Sequence, residues 1–300
     1  MSDMIHTCQT MSSPYAHLSH RAVLSLTGPD TMVLLERLVT NKTTDWALGE
    51  TRYGALLTPQ GKVIADYLAL RTSEGVLLDV AADYVDDLAK RLKMFRLRSD
   101  VQIEKREDLL VIAGLDDAQE GVRPVAGAFE VYLDSRYSGV RLRGLVPKDG
   151  WDASPTPLDA YHLDRIKNGV PEQGTDFGTA AVFPADINMD IFDGVALNKG
   201  CFVGQEVVSR MYRRGKIRKR TVVVTSPTQT PLESGANLMA IASIGSLTST
   251  QSAHALALIR TDRFGKAQAE GQEFTVDETP VIIEKPDWLQ REMNAQAADG

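Results

Sequence analysis

The chain has very little sulfur for crosslinking, with only Cys8 and Cys201 in 300 residues. Two thiols so unevenly placed cannot build a disulfide framework. Neither belongs to a CxxC pair of the kind found in structural zinc or thioredoxin-type redox sites. This is the cysteine usage of a reducing compartment. The sequence also has no GxGxxG turn, no GxxxxGK[ST] loop and no GxSxG elbow, which removes dinucleotide, P-loop and α/β-hydrolase readings. The five histidines, His6, His17, His20, His162 and His254, show no HExxH or similar ligand spacing, so no metal site is assigned. No apolar run approaches the roughly 18 residues that cross a bilayer, and the N-terminus has no signal-peptide core. A cytoplasmic location is therefore expected, with no membrane partner. A formal net charge of −7 argues against a general DNA binder, which carries a basic face.

What is present is a large hydrophobic fraction, 43%, enough for two or three packed units at this length. Residues 1–20 lack periodicity and are expected to be flexible. AVLSLTG (22–28) reads as a strand, and PDTMVLLERLVTN as a helix with Leu34, Leu35, Leu38 and Val39 on one side. RYGALLTPQGKVIADYLALRTSEGVLLDVA breaks at TPQG and TSEG, the turn chemistry of an antiparallel meander. DYVDDLAKRLKMF (83–95) puts Val85, Leu88, Leu92 and Phe95 on one helical face, acids early and bases late as the helix dipole favours. Strands follow at VQIE, LLVIAG, FEVYL and VRLRGLV, and TPLDAYHLDRIKNGVP (156–171) is a helix closed by Gly169 and Pro171. Mixed helices and antiparallel strands indicate an α+β body over 21–215, in two subdomains. From 216 to 288, short strands between Pro, Gly and Ser indicate a small β-barrel, and 289–300 is expected to be a frayed tail.

The most specific stretch is LNKGCFVGQEV, 197–207. Gly200 and Gly204 flank Cys201, so backbone or ligand can approach the sulfur closely. The segment after it is helical in pattern. A thiol just ahead of a helix N-terminus, two residues from Lys199, is in a setting that favours thiolate. The competing expectation is a small buried hydrophobe, since free cysteine is among the most buried residue types.

KGCFVGQE resembles the KGC[YF]xGQE signature of the YgfZ-type folate-binding proteins, whose mitochondrial relatives act in iron–sulfur cluster assembly. The likeness extends over LTGPDTMVLLERLVTN, RYGALLTPQGKVIADY and FPADINMDIFDGVALNKG. It implies the fold of the glycine-cleavage T-protein, a two-part α+β body around a central channel with a C-terminal barrel. It also implies tetrahydrofolate or a derivative as cofactor, iron–sulfur assembly or client proteins as partners, and in the bacterial branch a link to tRNA modification. Carried over by position, Cys201 and Lys199 are the reactive pair, and Gly200, Gly204, Gln205 and Glu206 fall on the signature. Asp66 stands where the T-protein has a folate-contacting acid. Arg21 and Tyr161 stand where the bacterial protein meets folate with tryptophans, which this chain lacks there. A tyrosine can stack on a pterin and an arginine can pair with the glutamate tail. Asp186 and Asn188 read as loop-capping residues.

RRGKIRKR (213–220) is the one basic exception. It reads as a solvated strand edge that deters aggregation, or as an attraction for polyglutamate, a partner protein or RNA. Two other functions compete with cluster support: a folate-dependent aminomethyltransferase of glycine-cleavage type, and a non-catalytic scaffold in which Cys201 is merely packed.

Overall fold

The run GVLLDVA has one polar side chain among apolar ones, the pattern of a strand covered on both faces. In the computed structural model, which describes residues 15–114, 129–149, 157–213 and 217–298, it forms β5 (Gly75–Ala81), buried along its whole length. Around it an antiparallel sheet assembles from β2 (Arg21–Thr27), β3 (Thr51–Leu57), β4 (Val63–Arg71) and β6 (Gln102–Lys105), in the order β3-β4-β5-β2-β6. β3, β4 and β5 are the expected meander, joined by tight antiparallel registers.

Alternation along these strands separates two cores. Leu24, Leu26, Tyr67, Leu78 and Val80 face α1 (Thr31–Leu38) and α2 (Ala82–Arg96). Val23, Tyr53, Ala55, Leu68 and Leu77 face the other way, where they meet Val111, Tyr132 and Leu145 of a second sheet. That sheet holds β1 (Tyr15–His17), β7 (Leu109–Gly114), β8 (Glu130–Leu133) and β9 (Leu142–Pro147) in the order β1-β7-β9-β8. Next come α3 (Leu158–Lys167), a 3₁₀ turn (Pro184–Ile187) and α4 (Gln205–Arg213).

The C-terminal unit is a seven-stranded antiparallel sheet that curls into a nearly closed barrel. It consists of β10 (Lys219–Thr225), β11 (Asn237–Met239), β12 (Ser243–Gln251), β13 (His254–Arg260), β14 (Thr275–Val276), β15 (Thr279–Pro280) and β16 (Ile282–Ile283). Two helices accompany it, α5 (Thr261–Ala269) and α6 (Asp287–Ala298).

Three local expectations change. Of the segment 1–20, residues 1–14 lie outside the described residues, but Tyr15–His17 pair with Gly114–Ile112, and Ala16 and Leu18 are completely buried. A paired, buried strand replaces flexibility there. Of the tail 289–300, residues 299–300 lie outside the described residues, but the rest belongs to α6: Leu289 is fully buried, and Glu292 takes hydrogen bonds from the Arg220 guanidinium. On α2, Val85, Leu88 and Leu92 are buried as expected, whereas Phe95 is 43% exposed. The last turn of this helix leaves the core behind.

Candidate functional site

The KGC loop is held by the buried side chains on either side of Gly200 and Cys201. Lys199 is buried, and its ammonium donates to the carbonyl oxygens of Val39 (2.9 Å) and Asn41 (2.7 Å), with a Glu36 carboxylate oxygen at 3.7 Å. These are carbonyls just past the end of α1, which lack helical partners of their own. Burial pulls the lysine pKa down to about 8. Three residues on, Phe202 is buried in the core shared by the two sheets of the body. Between these anchors Gly200 has open space around its α-carbon, and Cys201 is exposed. The thiol therefore faces solvent from a short segment fixed on both sides. Lysine serves here as the anchor of the loop, its donors directed at backbone carbonyls.

Gly204 has a different reason to be glycine. Its φ is +82°, and an added β-carbon would lie 2.6 Å from the carbonyl oxygen of Thr58 and 3.1 Å from the α-carbon of Gly61. The signature loop thus lies directly on the TPQG turn between β3 and β4. α4 starts at Gln205, so Cys201 does precede a helix N-terminus by one turn of chain. Gln205 and Glu206 line a surface groove of about 440 Å³ with Ser209, Arg210 and Arg213.

Arg21, Asp66 and Tyr161 belong to a second place, the interior between the two sheets of the body. Arg21 of β2 donates from Nε to Asp79 Oδ1 and from Nη2 to the Asp79 carbonyl, both at 2.6 Å. Arg143 of β9 reaches Asp79 Oδ2 (2.7 Å), Asp134 Oδ2 (2.9 Å) and the Tyr161 hydroxyl (2.8 Å). Tyr161 in turn donates to Glu172 (2.6 Å), and Arg136 is paired bidentately with Asp134. Arg165 of α3 pairs with Asp176 at 2.7 Å. Four guanidinium groups, of Arg21, Arg136, Arg143 and Arg165, thus meet four carboxylates, of Asp79, Asp134, Glu172 and Asp176.

Asp66 is the fifth carboxylate of this interior and has no guanidinium hydrogen bond of its own. Its Oδ2 accepts from the Tyr53 hydroxyl at 2.8 Å, and its Oδ1 is buried without a partner. Burial raises its pKa, with Arg21 and Arg136 pulling the other way. For Asp79, by contrast, the charges of Arg21 and Arg143 outweigh burial and hold the carboxyl below its ordinary range. Two other buried polar atoms nearby are also unpartnered, Arg21 Nη1 and His20 Nδ1. An acceptor and a guanidinium donor thus stand without partners in a desolvated interior, where buried polar groups are ordinarily hydrogen-bonded.

Tyr161 has a narrower part than expected. It is buried, and its hydroxyl is engaged by both Arg143 and Glu172. Asp186 accepts from the Phe183 amide and caps the 3₁₀ turn, and Asn188 closes the turn in the left-handed conformation while donating to the Thr221 carbonyl. In the basic stretch, residues 214–216 lie outside the described residues. Arg213, Arg218 and Lys219 are exposed, but Arg220 is buried in a clamp of Asp190, Glu292 and the Ala185 carbonyl. Arg220 is thus a structural tie between barrel and body. Among the described residues no group of three or more His, Cys, Asp or Glu could hold a metal ion.

Reading the sequence alone missed Tyr53 and the charged set of Asp79, Asp134, Arg136, Arg143, Glu172 and Arg165. The available signal was a lone Asp in GVLLDVA and a lone Arg at the inward position of LRGLV, each charged where its neighbours are apolar.

Comparison with known proteins agrees with this architecture. Residues 13–115 match the GCVT N-terminal domain and residues 218–291 the CAF17 C-terminal beta-barrel domain. The fold resembles that of the glycine cleavage system aminomethyltransferase T of Bartonella henselae, with a TM-score of 0.69 at 16% identity over 90% of this chain and 84% of that one. The chain is 31% identical over 222 residues to the iron–sulfur cluster assembly factor IBA57 homolog, mitochondrial, of Pyricularia oryzae, covering 69% of this chain and 56% of that relative. It is 30% identical over 226 residues to the human protein of that name, covering 68% and 64%, and 31% identical over 255 residues to the Cryptococcus neoformans homolog, covering 71% and 67%. The chain thus spans little more than half the length of the first of these relatives. The expected cytoplasmic location is overturned by this comparison, because these relatives carry a mitochondrial designation. With the T-protein fold, the CAF17-type barrel and this degree of identity, the chain belongs to the family of IBA57 iron–sulfur cluster assembly factor homologues.

Proposed function

We propose that this protein supports assembly or repair of iron–sulfur clusters in client enzymes, some of them enzymes of tRNA modification. In this reading the Cys201 thiol contacts the cluster or its carrier, and a tetrahydrofolate occupies the interior of the body. The observation that carries the reading is the exposure of Cys201 on a loop whose neighbours Lys199 and Phe202 are buried. A cysteine type that ordinarily packs inside is here held outward by its surroundings. One thiolate cannot hold a conventional cluster, which takes about four cysteine ligands. The cluster is therefore cargo shared with a partner protein, and this chain contributes a single ligand or thiol nucleophile.

For the folate, Asp66 Oδ1 would accept from the pterin edge while Tyr53 holds the other carboxylate oxygen, and Arg21 Nη1 would donate to a carbonyl or carboxylate of the ligand. When bound, tetrahydrofolate supplies a reduced ring that can carry a one-carbon unit. Around it, Arg143 and Glu172 fix Tyr161, and the two sheets exclude water. Titration of purified protein with tetrahydrofolate by calorimetry tests this half. Binding that weakens about tenfold or more in Asp66→Asn, as expected when a buried acceptor is replaced, supports it, and no heat with the unaltered protein removes it.

A further inference from the structure

The C-terminal end of α2 carries side chains that neither the interior site nor the KGC loop uses. Residues 90–98 read KRLKMFRLR, five bases and no acid in a chain of net charge −7. Bases there suit the helix dipole. The dipole does not account for the apolar residues among them: Met94, Phe95 and Leu97 are 68%, 43% and 86% exposed. Arg91 is paired with Asp87, and Arg96 donates to the Val101 carbonyl, while Lys90, Lys93 and Arg98 extend into solvent. α2 ends at Arg96, and Leu97, at φ +49°, turns the chain toward β6. The three apolar side chains therefore project from a helix end and do not line a groove.

We propose that this tip binds the surface of an anionic phospholipid membrane. A stable protein partner needs on the order of 800 Å² of matching surface on each side, far more than three side chains at a helix end provide. Insertion at a lipid interface requires only a small apolar wedge with cations around it, which gain from the negative surface potential. No described helix is long and apolar enough to cross a membrane, so the contact is peripheral. One wedge with a few cations is a weak, salt-sensitive anchor, suited to reversible residence. The geometry also leaves the candidate site unobstructed, because α2 packs on the sheet face opposite to that of Asp66 and Tyr53.

The test is flotation of the full chain with vesicles of phosphatidylglycerol and phosphatidylcholine, against phosphatidylcholine alone. The expected result is retention on the anionic vesicles that falls with added salt. Retention should drop about tenfold or more in Met94→Ser/Phe95→Ser/Leu97→Asn, and likewise in Lys93→Glu/Arg98→Glu. Asparagine is chosen at 97 because it tolerates positive φ, and unchanged melting curves would show that both variants are folded. Equal retention of the variants, equal retention on neutral vesicles, or absence from the anionic fraction would overturn the proposal. Capture on immobilised polyglutamate without vesicle binding would instead assign the tip to an acidic protein. None of these outcomes bears on the folate or thiol experiments, which read other residues.

Discussion

The Nζ of Lys199 lies 2.7 Å from the carbonyl oxygen of Asn41, across 158 residues of sequence. This contact, with its twin to Val39, joins the signature loop to the end of α1 and fixes where Cys201 emerges. Lys199→Met should cost about 2 kcal/mol or more near neutral pH, since two buried carbonyls lose their donor. The sign of the pH dependence follows from the lowered pKa, about 8. As pH rises past that value the folded chain has released a proton that the unfolded chain still holds, so the unaltered protein gains stability. The neutral amine retains two N–H groups for the same two carbonyls. Urea midpoints of wild type and variant should therefore diverge further between about pH 8 and about pH 10.

The two glycines of the signature should respond differently. Gly204→Ala meets the Thr58 carbonyl at 2.6 Å and a φ of +82°, and should cost about 2 kcal/mol or more by strain and overpacking. Gly200 has nothing within 4 Å of an added β-carbon and no positive φ, so Gly200→Ala should stay within about 0.5 kcal/mol. Denaturant midpoints of the two variants decide this.

Asp66→Asn should separate binding from stability. The folded pKa of Asp66 is raised by burial, so with rising pH the unfolded carboxyl ionises first and stability falls through that window. The amide removes this penalty while keeping an oxygen for Tyr53. The variant should therefore be as stable as wild type at about pH 7, or up to about 1 kcal/mol more so, with the difference shrinking toward about pH 4. Loss of folate affinity without loss of stability is the signature of a ligand-contacting acid.

Arg143→Met should be the most damaging of these changes. It strips charge partners from Asp79 and Asp134 and a donor from Tyr161, all buried. Removing one side of such a network costs about 3–5 kcal/mol, measurable as a lowered melting temperature.

Much of the frame was legible from periodicity and turns. Leu34, Leu35 and Leu38 on α1, the TPQG and TSEG turns, and the α3 stop at Gly169 all announce themselves locally. β12 did not, because SIGSLTSTQ alternates hydroxyls with few large apolar residues. The candidate site was legible only in part. The signature fixed the KGC loop, and Asp66 followed by position. The balance of four arginines against four acids depends on pairs such as Arg21 with Asp79 and Arg143 with Asp79, which are 58 and 64 residues apart. No local pattern encodes such pairs. Whether Lys199 points at a sulfur or at a helix end is likewise decided by tertiary packing.

The most direct test of the central claim replaces the chromosomal copy with Cys201→Ser and measures the activity of a [4Fe–4S] dehydratase in cell extracts alongside the level of this protein. An exposed side chain contributes little to folding, so the variant should accumulate normally while dehydratase activity falls as far as it does without the gene. Full dehydratase activity at normal protein level would contradict the account, and Cys201 would then be an exposed residue with no part in cluster chemistry.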